Sequence, residues 1–199
     1  NHWDLLFAIK TNIYNERESK NENINYFDNI NEIGATLGIQ NDTRDKEINT
    51  KTGHYHTIQA IIFPSYQILS NDYRQFNQTS YGNLAFKFYS AQTISNTDHI
   101  DYFQTVGNYY YLRGYSTNQY ADHHLSYSQI ELRSNVTSWL TFVPFIEYGG
   151  IGSSITDINK WLFSYGYAFH IPLDTSTFRI EMAYAKSNSK FYFGFNHVF

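Results

Sequence analysis

The chain has 199 residues, no cysteine, 19 Tyr and 16 Phe against a single Met, and a formal net charge of −4. Slight acidity with scattered Lys and Arg excludes a basic nucleic-acid footprint, and no apolar run approaches the ~20 residues a spanning helix needs. A mean hydropathy of −0.49 still admits a membrane β-barrel, because each strand has one polar face and polar loops dilute the rest.

No basic, apolar leader with a cleavage site opens the chain, so Asn1 is expected close to a mature terminus. The absence of cysteine fits an envelope protein that needs no disulfide. The first alternating segment interleaves Leu5, Phe7, Ile9 and Ile13 with Lys10, Asn12 and Tyr14. Next, Ile33, Ala35, Leu37 and Ile39 alternate with Gly34, Thr36, Gly38 and Gln40. A third strand is predicted over Tyr55–Phe63, a less regular fourth over Tyr66–Gln78, and a fifth around Leu84, Phe86 and Phe88. After a long polar stretch come Leu125–Arg133, Leu140–Tyr148, Leu162–Ile171, Phe178–Tyr184 and Phe191–Phe199. In Leu162–Ile171, Phe163, Tyr165, Tyr167 and Phe169 oppose Ser164, Gly166, Ala168 and His170. Small residues inside and aromatics outside is the lipid-out pattern of a transmembrane strand.

The closing segment is the most telling. Phe191, Phe193, Phe195 and the final Phe199 lie on one strand face. A terminal aromatic is how bacterial outer-membrane barrels typically finish, whereas a soluble domain seldom buries its last residue. These residues are expected to act as the C-terminal barrel signal. A soluble β-sandwich or lipocalin-like barrel would show the same alternation with its apolar face inward.

The expected fold is therefore all-β: one antiparallel transmembrane β-barrel domain over residues 1–199, with about ten strands (range 8–12). Sixteen strands would need roughly 160 residues, which the polar loops Asn15–Asn31, Asn41–Gly53 and Ser95–His124 do not leave. No periplasmic module is expected before Leu5.

One constellation carries chemistry. The long loop contains Leu112-Arg113-Gly114-Tyr115, and the next two strands contain Glu131 and Glu147. If lipid takes Leu132 and Ile146, period two turns both glutamates into the lumen. A loop arginine folded into that lumen meets two carboxylates and pins the loop by charge-assisted hydrogen bonds. Arg113 alone also reads as a solvated loop cation.

From about Ile39 to Phe199 the sequence resembles the barrel of the bacterial surface antigen superfamily, which includes the BamA and TamA insertases and two-partner-secretion transporters. The hallmark Arg-Gly-Tyr/Phe loop tip is matched by Arg113, Gly114 and Tyr115, and its acidic partners by Glu131 and Glu147. The second acid is usually Asp, and the paired glycines usual before the arginine are here Gly107-Asn108. Asp42-Thr43-Arg44-Asp45 with Thr52-Gly53 is similar to the family's Asp-x-Arg-Asp…Gly signature. The resemblance implies a loop lock at Arg113, Gly114, Tyr115, Glu131 and Glu147 that is conformational rather than catalytic, with the seam between first and last strands as gate. Characterised insertases add periplasmic POTRA domains and sixteen strands. A reduced member acting with a partner, one piece of a larger machine, or the C-terminal part of a longer protein each fit.

Other chemistry is weaker. His54 and His56 share a strand face without a suitably spaced third ligand, and His123-His124 project to opposite sides. Gly150-Ile151-Gly152-Ser153-Ser154 lacks the Gly-x-Ser-x-Gly elbow. Arg179 and Glu181 read as a lumen ion pair, and Asp98 with Asp101 are too few for Ca²⁺. No metal, cofactor or nucleic acid is expected. The expected role is a non-enzymatic factor of outer-membrane protein assembly or translocation, in contact with lipid and with envelope proteins that supply periplasmic domains. The alternatives are a structural scaffold barrel within a larger complex and a lipid-acting barrel enzyme.

Overall fold

The computed structural model describes residues 2–14, 30–95, 102–107, 111–174, 176–186 and 188–195. Phe199, Asn1, Asn108, Asp98 and Asp101 lie outside them, as does residue 196 onward of the closing segment. Among the described residues twelve strands appear in chain order: β1 (Asp4–Tyr14), β2 (Ile30–Asp42), β3 (Gly53–Ile62), β4 (Tyr66–Thr79), β5 (Gly82–Ser95), β6 (Gln104–Val106), β7 (Tyr120–Asp122), β8 (His124–Asn135), β9 (Thr141–Ser154), β10 (Asp157–Pro172), β11 (Thr177–Ala185) and β12 (Ser189–Phe195). Ten of them form one antiparallel sheet in the order β1-β2-β3-β4-β5-β8-β9-β10-β11-β12. These ten coincide with the ten alternating segments of the sequence. The short β6 and β7 pair as a separate hairpin inside the loop between β5 and β8, an element that alternation over three residues cannot announce.

The sheet is an antiparallel transmembrane β-barrel, and its two faces say so. Along β10 the even positions Leu162, Ser164, Ala168 and His170 are buried, while Trp161, Phe163, Tyr165, Tyr167 and Phe169 are exposed. The same outward row continues through Leu5, Phe7 and Ile9 on β1 and through Phe191, Phe193 and Phe195 on β12, with Phe193 72% exposed. Inside lie Lys87, Gln129, Glu131, Arg133, Glu147, Arg179 and Glu181, all buried. A polar interior behind an aromatic and aliphatic exterior inverts the soluble arrangement and is stable only with lipid outside. Strands of 14 residues such as β4, β5 and β9, tilted by about 45°, rise roughly 33 Å, the thickness of a hydrocarbon core.

The sheet curls on itself. The β2–β3 loop reaches β11, where Thr177 Oγ1 donates to Asn49 Oδ1 at 3.1 Å, although β2 and β11 stand near opposite ends of the ladder. Turns β4–β5, β8–β9 and β10–β11 share that end of the barrel with the β2–β3 loop, and the loop carrying β6–β7 folds in from the other end. Its Val106, Leu112 and Tyr115 pack with Leu125, Tyr127, Ile151 and Leu162 on the lumen wall.

Candidate functional site: an arginine at the tip of an in-folded loop

The loop tip is a tight turn closed by Tyr115 N–H donating to Leu112 O at 3.0 Å. Leu112 takes φ +50°, a left-handed conformation that costs a leucine about 1–2 kcal/mol. It is held there because its side chain is fully buried in the aliphatic cluster. Arg113 and Gly114 occupy the two central positions. A Cβ on Gly114 would sit 2.7 Å from the Tyr184 carbonyl carbon and oxygen and 2.8 Å from Ala185 Cβ, so only glycine lets the turn lie against β11.

Arg113 is fully buried and its guanidinium meets three carboxylates. Nε donates to Glu147 Oε1 at 2.8 Å, Nη1 to Glu181 Oε2 at 2.6 Å and Nη2 to Glu131 Oε1 at 3.2 Å. The Arg113 backbone N–H adds a bond to Glu147 Oε2 at 2.7 Å. Beneath the guanidinium lies the Phe145 ring, 3.5 Å from its centroid, a stacking contact suited to the delocalised planar cation. Each carboxylate has a second partner. Arg133 Nε and Nη2 each donate to Glu131 Oε2 at 3.2 Å, Arg179 Nη1 lies 3.0 Å from Glu181 Oε1, and Ser164 Oγ donates to Glu147 Oε2 at 2.5 Å. Gln129 Nε2 donates to Glu131 Oε1 at 2.8 Å. A buried ion cluster is tolerable only with this degree of mutual satisfaction.

Two further contacts complete the tip. The β10–β11 ladder begins at Ser164; one residue beyond it, the Tyr115 hydroxyl accepts from Phe163 N–H and donates to Phe163 O, both at 3.2 Å. Tyr192 OH on β12 donates to Arg113 O at 2.8 Å. One turn of loop thus touches every strand of the ten-stranded sheet that follows it, β8 through β12.

The structure places Arg113, Gly114, Tyr115, Glu131 and Glu147 together around one loop turn. It corrects one expectation: Arg113 faces three carboxylates rather than two, and Glu181 belongs to this cluster as well as pairing with Arg179. Tyr192 and Phe145 were also missed as partners. Tyr192 carried a signal, being the inward residue between Phe191 and Phe193 on the last strand.

The second signature forms a separate anchor. Arg44 Nε and Nη2 grip Asp42 at 2.9 and 2.7 Å, and Arg74 grips Asp72 at 3.0 and 2.6 Å. The two guanidinium carbons lie 4.8 and 4.9 Å from the Tyr55 ring centroid. Asp45 accepts from Lys51 N–H at 2.9 Å and Thr52 N–H at 3.2 Å. Gly53, at φ +100°, brings its backbone so near Thr43 O that a Cβ would lie 2.2 Å away. Of the histidines, His54 Nε2 pairs with Asn41 Oδ1 at 2.6 Å and His56 Nε2 with Asn71 Oδ1 at 2.8 Å. His124 bonds Ser126 Oγ at 2.7 Å, and His123 lies beside Asp122. Among the described residues no cluster of three or more His, Cys, Asp or Glu is arranged to hold a metal.

Comparison with known proteins places the fold but not the sequence. No protein-family profile and no curated protein matches the chain. Among solved structures it is similar to BamA from Haemophilus ducreyi lacking POTRA domains 1-3, with a TM-score of 0.72 and 12% sequence identity. The match covers 97% of this chain and 49% of that one, so the chain spans about half the length of the structure it resembles. The fold is that of a BamA-like barrel.

Proposed function

We propose that this chain is a bacterial outer-membrane β-barrel component of protein assembly or translocation, non-enzymatic, working with envelope proteins that supply periplasmic domains. The observation that carries the reading is the fully buried Arg113, delivered by a loop and bonded to carboxylates on β8, β9 and β11. Each carboxylate already accepts from a guanidinium, which favours a conformational lock over an acid–base device. The loop lock is then the element that fixes the five strands after the loop against one another. The apolar outer face supports residence in a lipid bilayer, and the likeness to a BamA barrel supports the outer membrane as that bilayer. In that placement the short-turn end faces the periplasm, where a partner would dock, and the β1–β12 seam is the natural gate.

Depletion of the chain from its own cell tests the reading. Accumulation of unassembled outer-membrane proteins is expected, together with co-purification of a partner bearing periplasmic domains in gentle extracts. Normal assembly with loss of a partner complex would replace the proposal by a scaffold role. Lipid turnover abolished by one Ser or His substitution would replace it by an enzyme.

A further inference from the structure

At the short-turn end of the barrel, the β2–β3 loop and the β4–β5, β8–β9 and β10–β11 turns surround a cavity of about 280 Å³. It is distinct from the Arg113 turn. Among its described lining residues there is no Asp or Glu, whereas Lys51, Arg133 and His170 all contribute. Arg133 is shared with the lumen side, where its Nε and Nη2 donate to Glu131.

The neutral lining points the same way. Asn49 Oδ1 accepts from Thr177 Oγ1 at 3.1 Å and Asn135 Oδ1 from Thr141 Oγ1 at 2.9 Å. Each amide oxygen thus has one lone pair engaged, and each side chain also brings an NH₂ donor group. Asn83, only 7% exposed, gives its NH₂ to Lys51 O, and its buried Oδ1 has no partner among the described residues. An unmatched acceptor in a buried position is costly unless something supplies a donor.

We propose that this cavity is an oxyanion site, taking a carboxylate or phosphate group that carries an adjacent N–H or O–H. The negative oxygens lie against Arg133, Lys51 and the Asn49 and Asn135 amides, where charge-assisted bonds are strongest. The neighbouring donor meets Asn83 Oδ1. The volume lies just below the about 300–1,000 Å³ typical of ligand pockets, which suits a small group rather than a whole lipid. Two sources offer this chemistry: free hydrogen phosphate, and the C-terminal carboxylate of a peptide with its own N–H.

Calorimetry on the full chain in detergent separates them. Hydrogen phosphate and N-acetylglycine are titrated at fixed ionic strength, with N-acetylglycinamide as the uncharged control. Saturable binding of either anion is expected, weakened tenfold or more by Asn135→Asp and by Lys51→Glu, neither of which touches the Arg113 cluster. Binding of phosphate alone assigns the site to a free anion, and binding of N-acetylglycine alone assigns it to a chain terminus. The proposal is overturned if neither anion binds at tens of millimolar. Equal binding of the amide control, or unchanged affinity in both folded variants, overturns it as well.

Discussion

Replacing Arg113 by alanine removes three side-chain hydrogen bonds and one aromatic contact while sparing the backbone N–H that bonds Glu147 Oε2. The three carboxylates do not suffer equally. Glu131 keeps Arg133 and Glu181 keeps Arg179, but Glu147 keeps only Ser164 Oγ and that backbone N–H among the described contacts. The main penalty is therefore one stranded buried carboxylate, about 3–5 kcal/mol. It falls on loop docking, because the ladder bonds of the ten strands do not involve Arg113. Taking about 4 kcal/mol, the open loop becomes roughly a thousandfold more populated. Limited proteolysis and amide exchange at residues 111–119 should report the opening, while the heat-dependent gel mobility of the folded barrel persists. Arg113→Lys should lie between, since a point charge cannot serve three acceptors in the guanidinium plane. Unchanged protection of the loop in Arg113→Ala would refute the reasoning.

Gly114→Ala places a methyl 2.7 Å from the Tyr184 carbonyl and should loosen the loop by about 1–3 kcal/mol, read as faster exchange of the Tyr115 amide with Arg113 still present. The Asp45 carboxyl is held below its ordinary 3.8: burial pushes it up, and the Lys51 and Thr52 N–H donors outweigh that. Its folded value being depressed, its contribution to the β2–β3 loop is complete above 3.8 and is lost as pH falls through the lower folded value. Wild type should therefore lose loop protection in that acidic window, and Asp45→Asn should lack this component. Ile146→Arg, on the outward face of β9, should lower folding stability in bilayers by about 2–4 kcal/mol if it lies near the midplane. A change within about 0.5 kcal/mol, as for an ordinary surface site, would remove β9 from the lipid face.

The strands were legible because a lipid-facing row is apolar at alternate residues, as along β1, β10 and β12; β4 was the least regular, its row of Gln67, Leu69, Asn71, Tyr73, Gln75 and Asn77 opposite buried Tyr66 and Phe76 being mostly polar. Boundaries were less legible. β5 runs on to Ser95 through Ser90-Ala91-Gln92-Thr93, where both faces look polar because Thr93 Oγ1 donates to Tyr102 O in the in-folded loop instead of facing water. Glu131 and Glu147 were readable as inward residues close after the loop. Glu181 lies 68 residues from Arg113, and only the curl of the sheet brings β11 round to the same guanidinium. Sequence spacing reports faces; it does not report which wall of a closed interior a long loop will reach. The Asp42–Arg44 motif was visible, but the stacking of Arg44 and Arg74 on Tyr55 depends on β2–β3–β4 register.

The lumen charges show why loop and barrel are one design. In the cluster, β8, β9 and β11 supply three carboxylates, Glu131, Glu147 and Glu181, but only two guanidinium groups, Arg133 and Arg179. The third comes from the loop. β10, which runs between them in the ladder, turns only Ser164, Gly166 and Ala168 inward at this level, leaving space for Phe145 and the arginine above it. Within this cluster the strand residues thus carry one more carboxylate than guanidinium until the loop inserts. Excising residues 96–122 in favour of a short linker should destabilise the barrel beyond the loss of loop contacts, by the stranding of Glu147. Adding Glu147→Gln to that deletion removes the unpaired charge and should recover about 1–3 kcal/mol, whereas the same substitution in the intact chain breaks the Arg113 pairing and should be destabilising. The sign reversal is measured by denaturant unfolding of the four proteins in one detergent. If Glu147→Gln has the same sign with and without the loop, the strands do not depend on the loop's charge and the coupling is absent.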